Sequence, residues 1–159
     1  MMMRYLTGLM FFLIVAPAWA SNPFWLEGRT ADSHEITVYR SATCGCCKGW
    51  IKHLEEHNFV VTDVTVDDVN RFKQQFNVPT QAASCHTAVV DGITIEGHVP
   101  AQDIKRVLAD RGDVRLLTVP AMPSGTPGMD YEGAPSQPFR VFSIGNDDQV
   151  EVFQSYSDY

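Results

Sequence analysis

Three of the four cysteines in this 159-residue chain fall within four positions, Cys44-Gly-Cys-Cys47, at the point where an extended segment gives way to a helical one. Before the cluster, Glu35-Ile-Thr-Val-Tyr-Arg40 alternates, with Ile36 and Val38 on one face, and reads as a strand. After it, Cys47, Trp50, Ile51 and Leu54 recur at helical spacing, with Lys48, Lys52, Glu55 and Glu56 around the rest of the wheel. The cysteines therefore occupy a strand-to-helix turn. His53 and His57 stand at i, i+4 on the same helix, the spacing of a metal pair, but they flank its polar edge and are expected on a solvated face.

Asn58 ends that helix, and Val60 to Val66 reads as a second strand. Asp67 or Asp68 caps a second helix that carries Val69, Phe72 and Phe76 on one face until Pro79 stops it. Thr87–Val90 and Ile93–Ile95 are two strands joined by an Asp91-Gly92 hairpin turn. Pro100 opens a last helix with Ile104, Val107 and Leu108 at i, i+3, i+4. The segment from Leu117 to Pro138 holds five prolines and three glycines, so it is expected to be irregular and to lie over something. Phe139 to Ile144 and Gln149 to Phe153 flank a Gly-Asn-Asp-Asp turn and read as a hairpin.

At 45% hydrophobic and 19% charged, the chain has the composition of one compact domain. A net charge of -7 argues against nucleic acid or anionic membrane surfaces as partners. At the start, Arg4, the apolar run Leu6 to Val15 and Ala18-Trp19-Ala20 read as a signal peptide over 1–20, cleaved after Ala20. Residues 21–33 follow as an irregular arm that Phe24 and Trp25 pin down. The mature chain is expected to be a monomer in the periplasm without membrane insertion. In an oxidising compartment four cysteines usually make a disulfide framework. Here only one long loop, to Cys85, can be closed, and the remaining bridge would staple almost nothing, so a chemical use is expected.

The element order β-α-β-α-β-β-α, with Cys44 and Cys47 in C-x-x-C spacing at the first strand–helix junction, resembles the thioredoxin fold. That resemblance implies that the residues just before the third strand sit against the cysteine turn. Aligned on Asp91-Gly92, these are Cys85 and His86, so Cys85 would complete a four-sulfur site. His86 stands where such proteins keep a cis-proline, which weakens a disulfide-exchange reading. The motifs TCGCC (43–47), SCHTAVVDG (84–92), EGHVP (96–100) and MPSGTPGMD (122–130) are similar to those of the bacterial CopG-type family of small exported copper-resistance proteins. The resemblance implies an α/β fold in which a thioredoxin-like mixed sheet flanked by helices covers 34–116. A C-terminal loop and β-hairpin extension over 117–159 would help to bind metal, and a cysteine-bridged multinuclear copper cluster would lie beside the C-x-C-C motif.

Soft thiolates favour Cu(I) and carry enough lone pairs to bridge several ions. The helix N-terminus favours thiolate over thiol through its unpaired N–H groups and positive dipole end. Zinc is the rival metal, although adjacent Cys46 and Cys47 are awkward ligands for one tetrahedral ion. Cys44, Cys46, Cys47 and Cys85 are the candidate metal ligands and, if copper is turned over, the catalytic residues. The resemblance adds Met129 and Met122 as thioether caps, against the alternative that they are apolar pegs for the loop. His86 and His98 are candidate ligands or orienting donors. The expected function is interconversion of Cu(I) and Cu(II) during copper detoxification, as a copper oxidoreductase, with copper ions as substrate and a copper efflux system or periplasmic copper carrier as partner. A copper store or carrier without turnover is one alternative. A thiol-disulfide oxidoreductase attacking through Cys44 and resolving through Cys47 is the other.

Overall fold

In the computed structural model, which describes residues 22–159, the alternating segment forms β1 (His34–Arg40), and Ile36 and Val38 point into the core. There follow α1 (Gly45–Glu56), β2 (Phe59–Thr65), α2 (Val69–Gln75), β3 (Thr87–Val90), β4 (Ile93–Glu96), α3 (Ala101–Ala109), β5 (Val114–Thr118), β6 (Phe139–Gly145) and β7 (Val150–Tyr156). The signal peptide and its cleavage after Ala20 fall outside the described residues. Asp68 is the cap of α2, its carboxylate accepting from the Asn70 N–H at 2.9 Å. Asp91 and Gly92 both take positive φ, 46° and 74°, which is what a two-residue hairpin turn between right-twisted strands requires.

The strands form one seven-stranded mixed sheet in the order β2-β1-β3-β4-β5-β6-β7. β1 runs parallel to β2, and β4 runs parallel to β5; the other neighbours are antiparallel. This is the expected α/β fold, and no helix among the described residues is long and apolar enough to cross a membrane. Trp50, Ile51 and Leu54 of α1 and Ile104 and Val107 of α3 bury against Ile36, Val38, Ala88, Ile95 and Leu117 on one face of the sheet. On the other face Phe72 of α2 stacks on Tyr39 with centroids 4.2 Å apart, and Ala82 packs with Leu116 and Ile144.

β5 has no counterpart in the pattern read from sequence. Its neighbours Leu116 and Leu117 are both fully buried, one in each of the two cores. A strand covered on both faces shows no alternation, so period-two reasoning passes over it. The hairpin β6–β7 extends the same sheet through β5.

The N-terminal arm contains a short 3-10 turn, Pro23–Leu26, and its Trp25 is completely buried. The indole N–H donates to the Gly125 carbonyl at 2.9 Å, and the ring meets Tyr159, Tyr156 and Phe139 with centroids 4.9 to 6.0 Å away. This arm corrects the expectation for His53 and His57. Both are buried, at 1% and 0% exposure, because the arm and the start of α3 cover that edge of α1. The His53 Nε2 accepts from the Ala101 N–H at 2.9 Å, and the His57 Nε2–H donates to the Trp25 carbonyl at 2.6 Å. Burial holds both imidazoles below their ordinary protonation range, and their mutual proximity adds to this for His53.

The sign of the linkage follows. Unfolded imidazoles take up protons around pH 6.5, whereas the buried pair resists them until lower pH, so this stabilisation is fully present above about 6.5 and drains away as pH falls. The urea midpoint is expected to drop between about pH 7.5 and pH 5.5. A His57→Gln variant, which keeps a donor for the Trp25 carbonyl but cannot be charged, should lose part of that pH dependence.

Candidate metal centre

The turn after β1 makes Cys44 the N-cap of α1, so Gly45, Cys46 and Cys47 supply the first helical turn, which holds no acidic side chain. Its unpaired N–H groups and positive end face the sulfurs. The segment between α2 and β3 brings Cys85 to the same place. Cys44 and Cys47 are joined as a disulfide, with Cα atoms 5.4 Å apart, and Cys46 and Cys85 are free. Cys46 lies 3.5 Å from Cys44 and 3.9 Å from Cys85, and Cys85 lies 3.6 Å from Cys47. All four sulfurs lie within 4.8 Å of one another, a spacing at which they could hold a metal ion.

Cys85 is also the corner of a second donor group with His86 and His98. The His86 Nδ1 and the His98 Nε2 each lie 3.2 Å from its sulfur. His98 is oriented from behind: its Nδ1–H donates to the Pro127 carbonyl at 2.7 Å, which turns Nε2 toward the sulfurs. His86 is fully buried against Trp50, with ring centroids 4.3 Å apart, and its Nε2 has no hydrogen-bond partner. Burial holds its imidazole well below the ordinary range, so it is neutral, the form in which an imidazole binds metal. Two free sulfurs and two imidazoles form a donor set of the kind that copper or zinc accepts.

The two free cysteines differ in charge. Hydrogen bonding to Cys85 and His98, helped by the Cys47 N–H, draws the Cys46 thiol down to about 4, so it is the resident thiolate. Cys85 faces that anion from a more buried position and is pushed up, so it keeps its proton in the metal-free protein.

The 119–138 loop does cross the site. Gly128, at φ +83°, sits against the first turns of α1, and a Cβ on it would lie 2.5 Å from the Trp50 nitrogen and 2.7 Å from the Cys46 carbonyl oxygen. Gly49 meets it from the helix side, where a Cβ would stand 2.9 Å from the Gly128 Cα. This glycine-on-glycine contact carries the Pro127 carbonyl to His98 and brings Met129, half-buried, directly after it. Met122, earlier in the same loop, is 49% exposed. Asp130 fastens the loop by accepting from the Gly128 and Asn22 N–H groups at 2.9 and 2.8 Å.

Sequence reasoning missed the group that holds Cys85 in place. The Glu96 carboxylate is fully buried and accepts from the Lys73 ammonium at 2.5 Å, the Ser84 N–H at 2.6 Å and the Thr87 hydroxyl at 2.7 Å. A carboxylate ending the strand Ile93-Thr-Ile-Glu96 was the available signal, but its partner Lys73 lies on α2 and no spacing rule links the two.

The family described as "Protein of unknown function, DUF411" matches residues 82–129, the stretch that carries Cys85, His86, His98, Met122 and Met129. Two solved structures share the fold. "Copper resistance protein copG- Form 2" is 42% identical, with 79% of this chain and 100% of that one covered at a TM-score of 0.75. "Copper resistance protein copG- Form 1" is 43% identical, with 78% and 98% covered at 0.73. No curated protein matches the chain.

Two variants test this architecture. Glu96→Ala leaves the Lys73 ammonium buried without its partner and should cost about 3–5 kcal/mol in urea denaturation; a loss under about 1 kcal/mol contradicts the role of this ion pair. Gly128→Ala places a Cβ into backbone at a positive φ, so the loop must lift and the Pro127 carbonyl must leave His98. Competition against a Cu(I) chelator should then show affinity about 10–100-fold lower, the range typical of lost orienting partners.

Proposed function

The chain belongs to the copper resistance protein CopG family, and on that premise we propose that it is an exported protein that holds several copper ions on bridging cysteines and interconverts Cu(I) and Cu(II) during detoxification. The observation that carries this reading is the gathering of Cys44, Cys46, Cys47 and Cys85 within 4.8 Å. Four sulfurs so close have more lone pairs than one ion can use. Copper is the substrate, and a group of ions sharing sulfur spreads a one-electron change over several centres.

The residues divide the work. Cys46, as thiolate at the helix N-terminus, draws the cation in. Cys85 bridges from the opposite segment, and His98 offers Nε2 with its ring fixed by the Pro127 carbonyl. His86 supplies a neutral imidazole beside Cys85. Met129, held over the turn by Gly128, excludes water and offers a thioether; Met122 does so from the outer part of the loop. We assign residues 1–20 to a signal peptide and the mature chain to the periplasm as a monomer, handing copper to an efflux system or a periplasmic carrier. The Cys44–Cys47 disulfide favours a second reading, thiol-disulfide exchange, in which half-buried Cys44 is the attacking sulfur and buried Cys47 the resolving one.

Anaerobic titration of the fully reduced chain with Cu(I) is expected to saturate above one equivalent, and saturation at one counts against a cluster. Cys85→Ser keeps size but removes a soft bridging ligand, so it should lower the stoichiometry and change the absorption spectrum while the circular dichroism stays native. Steady conversion of excess copper by catalytic amounts of protein distinguishes an enzyme from a store, which takes up copper stoichiometrically and stops.

A further inference from the structure

The site holds four sulfurs in two chemical states: Cys44 and Cys47 are bonded to each other, while Cys46 and Cys85 remain free beside them. Each free sulfur lies close to a bonded one, Cys46 3.5 Å from Cys44 and Cys85 3.6 Å from Cys47. We propose that the Cys44/Cys47 pair is a two-electron donor to Cu(II), and that Cys46 and Cys85 with His98 receive the Cu(I) it produces. In the reaction the two S–H bonds of the dithiol break and one S–S bond forms. The two protons leave to solvent, and one electron passes to each of two Cu(II) ions. The pair is oxidised, both ions are reduced, and no further oxidant or reductant is needed.

Three features support this division. The Cys44 and Cys47 Cα atoms stand 5.4 Å apart across one helical turn in the bonded state, inside the range a disulfide spans, so the turn accommodates the oxidised pair. Closure removes two thiolates from the site, and in this closed state the Cys85, His86 and His98 donor group lies next to Cys46, so ligands remain for the Cu(I) formed. The Cys85 sulfur also contacts the His86 and His98 nitrogens at 3.2 Å each, which places it among the donors that would take the Cu(I). The exposure is ordered in the same sense: Cys44 is half-buried, where an incoming ion meets it, and Cys47 is fully buried.

The inference rests on the copper-site reading above, and the experiment separates the two. The reduced chain is mixed anaerobically with Cu(II) sulfate. Cu(I) is counted with a chromophoric Cu(I) chelator, and the thiols are mapped by alkylation and peptide mass after copper is removed. The expected result is two Cu(I) per chain, a disulfide at Cys44–Cys47, and alkylated Cys46 and Cys85. Copper that stays cupric, or a disulfide mapped to Cys46–Cys85, overturns the proposal. In a parallel arm Cu(I) is supplied directly. Cu(I) bound there, with no disulfide formed by Cu(II), sinks the electron-donor role and leaves the copper site standing. A disulfide closed by Cu(II) with no Cu(I) held in either arm sinks the copper-site reading and, with it, the receiving role of Cys46 and Cys85. The double variant Cys44→Ser/Cys47→Ser should still bind Cu(I) but lose reduction of Cu(II); the same two Cu(I) formed by that variant overturns the proposal.

Discussion

The carboxylate of Glu96 has no solvent contact and three hydrogen-bond donors, and the geometry of the metal centre depends on it. One oxygen takes the Lys73 ammonium of α2 and the Ser84 N–H, and the other takes the Thr87 hydroxyl at the start of β3. Ser84 immediately precedes Cys85, so the charge that α2 brings to the sheet also sets where that sulfur points. A buried ion pair is a poor source of net stability, because desolvation offsets most of the attraction. Its return here is geometric: with Lys73 and Glu96 matched, the 84–86 segment has one low-energy position, and that position faces the helix N-terminus.

A second constraint works from the other side of the site. The proline-rich loop forms turns of its own, such as the one closed by the Met129 N–H on the Thr126 carbonyl, and is fixed to the rest of the protein by contacts at defined points. Gly128 lies flat on Gly49 and the Cys46 carbonyl, Asp130 ties the loop to Asn22, and the Trp25 indole holds the Gly125 carbonyl. Trp25 in turn sits among Phe139, Tyr156 and Tyr159 of the C-terminal segment. The N-terminal arm, the loop and the final hairpin therefore form one aromatic-backed clamp. Its hydrogen bond to the site is made by the Pro127 carbonyl, which chooses the His98 nitrogen facing the sulfurs.

The electrostatics follow from these two placements. The start of α1 presents N–H groups and no acidic side chain, so a thiolate at Cys46 is favoured and a second anion at Cys85 is not. A metal-free site of this kind presents one thiolate among its donors, which attracts a cation without the repulsion of four thiolates. Joining Cys44 to Cys47 serves the same balance by removing two potential charges.

The cysteine turn, the first strand and helix, the Asp91-Gly92 hairpin and the final β6–β7 hairpin were all legible in the chain, because each is a local periodicity or a turn whose chemistry needs particular residues. The convergence of Cys85 on the turn was legible only through the thioredoxin-like order of elements, which places the segment before β3 without any local signal at Cys85 itself. β5 was hidden because burial on both faces erases alternation, and His53 and His57 read as solvated because nothing in a helical wheel reveals an arm folding over it. The Glu96–Lys73 pair, the Gly128–Gly49 contact and the Pro127–His98 hydrogen bond join residues from different elements, so no spacing rule contains them. Sequence by itself determined which donor atoms this protein carries and the local elements that present them. Tertiary structure decided which donors meet, which are charged and which are paired, since burial and through-space contact exist only once the sheet has assembled.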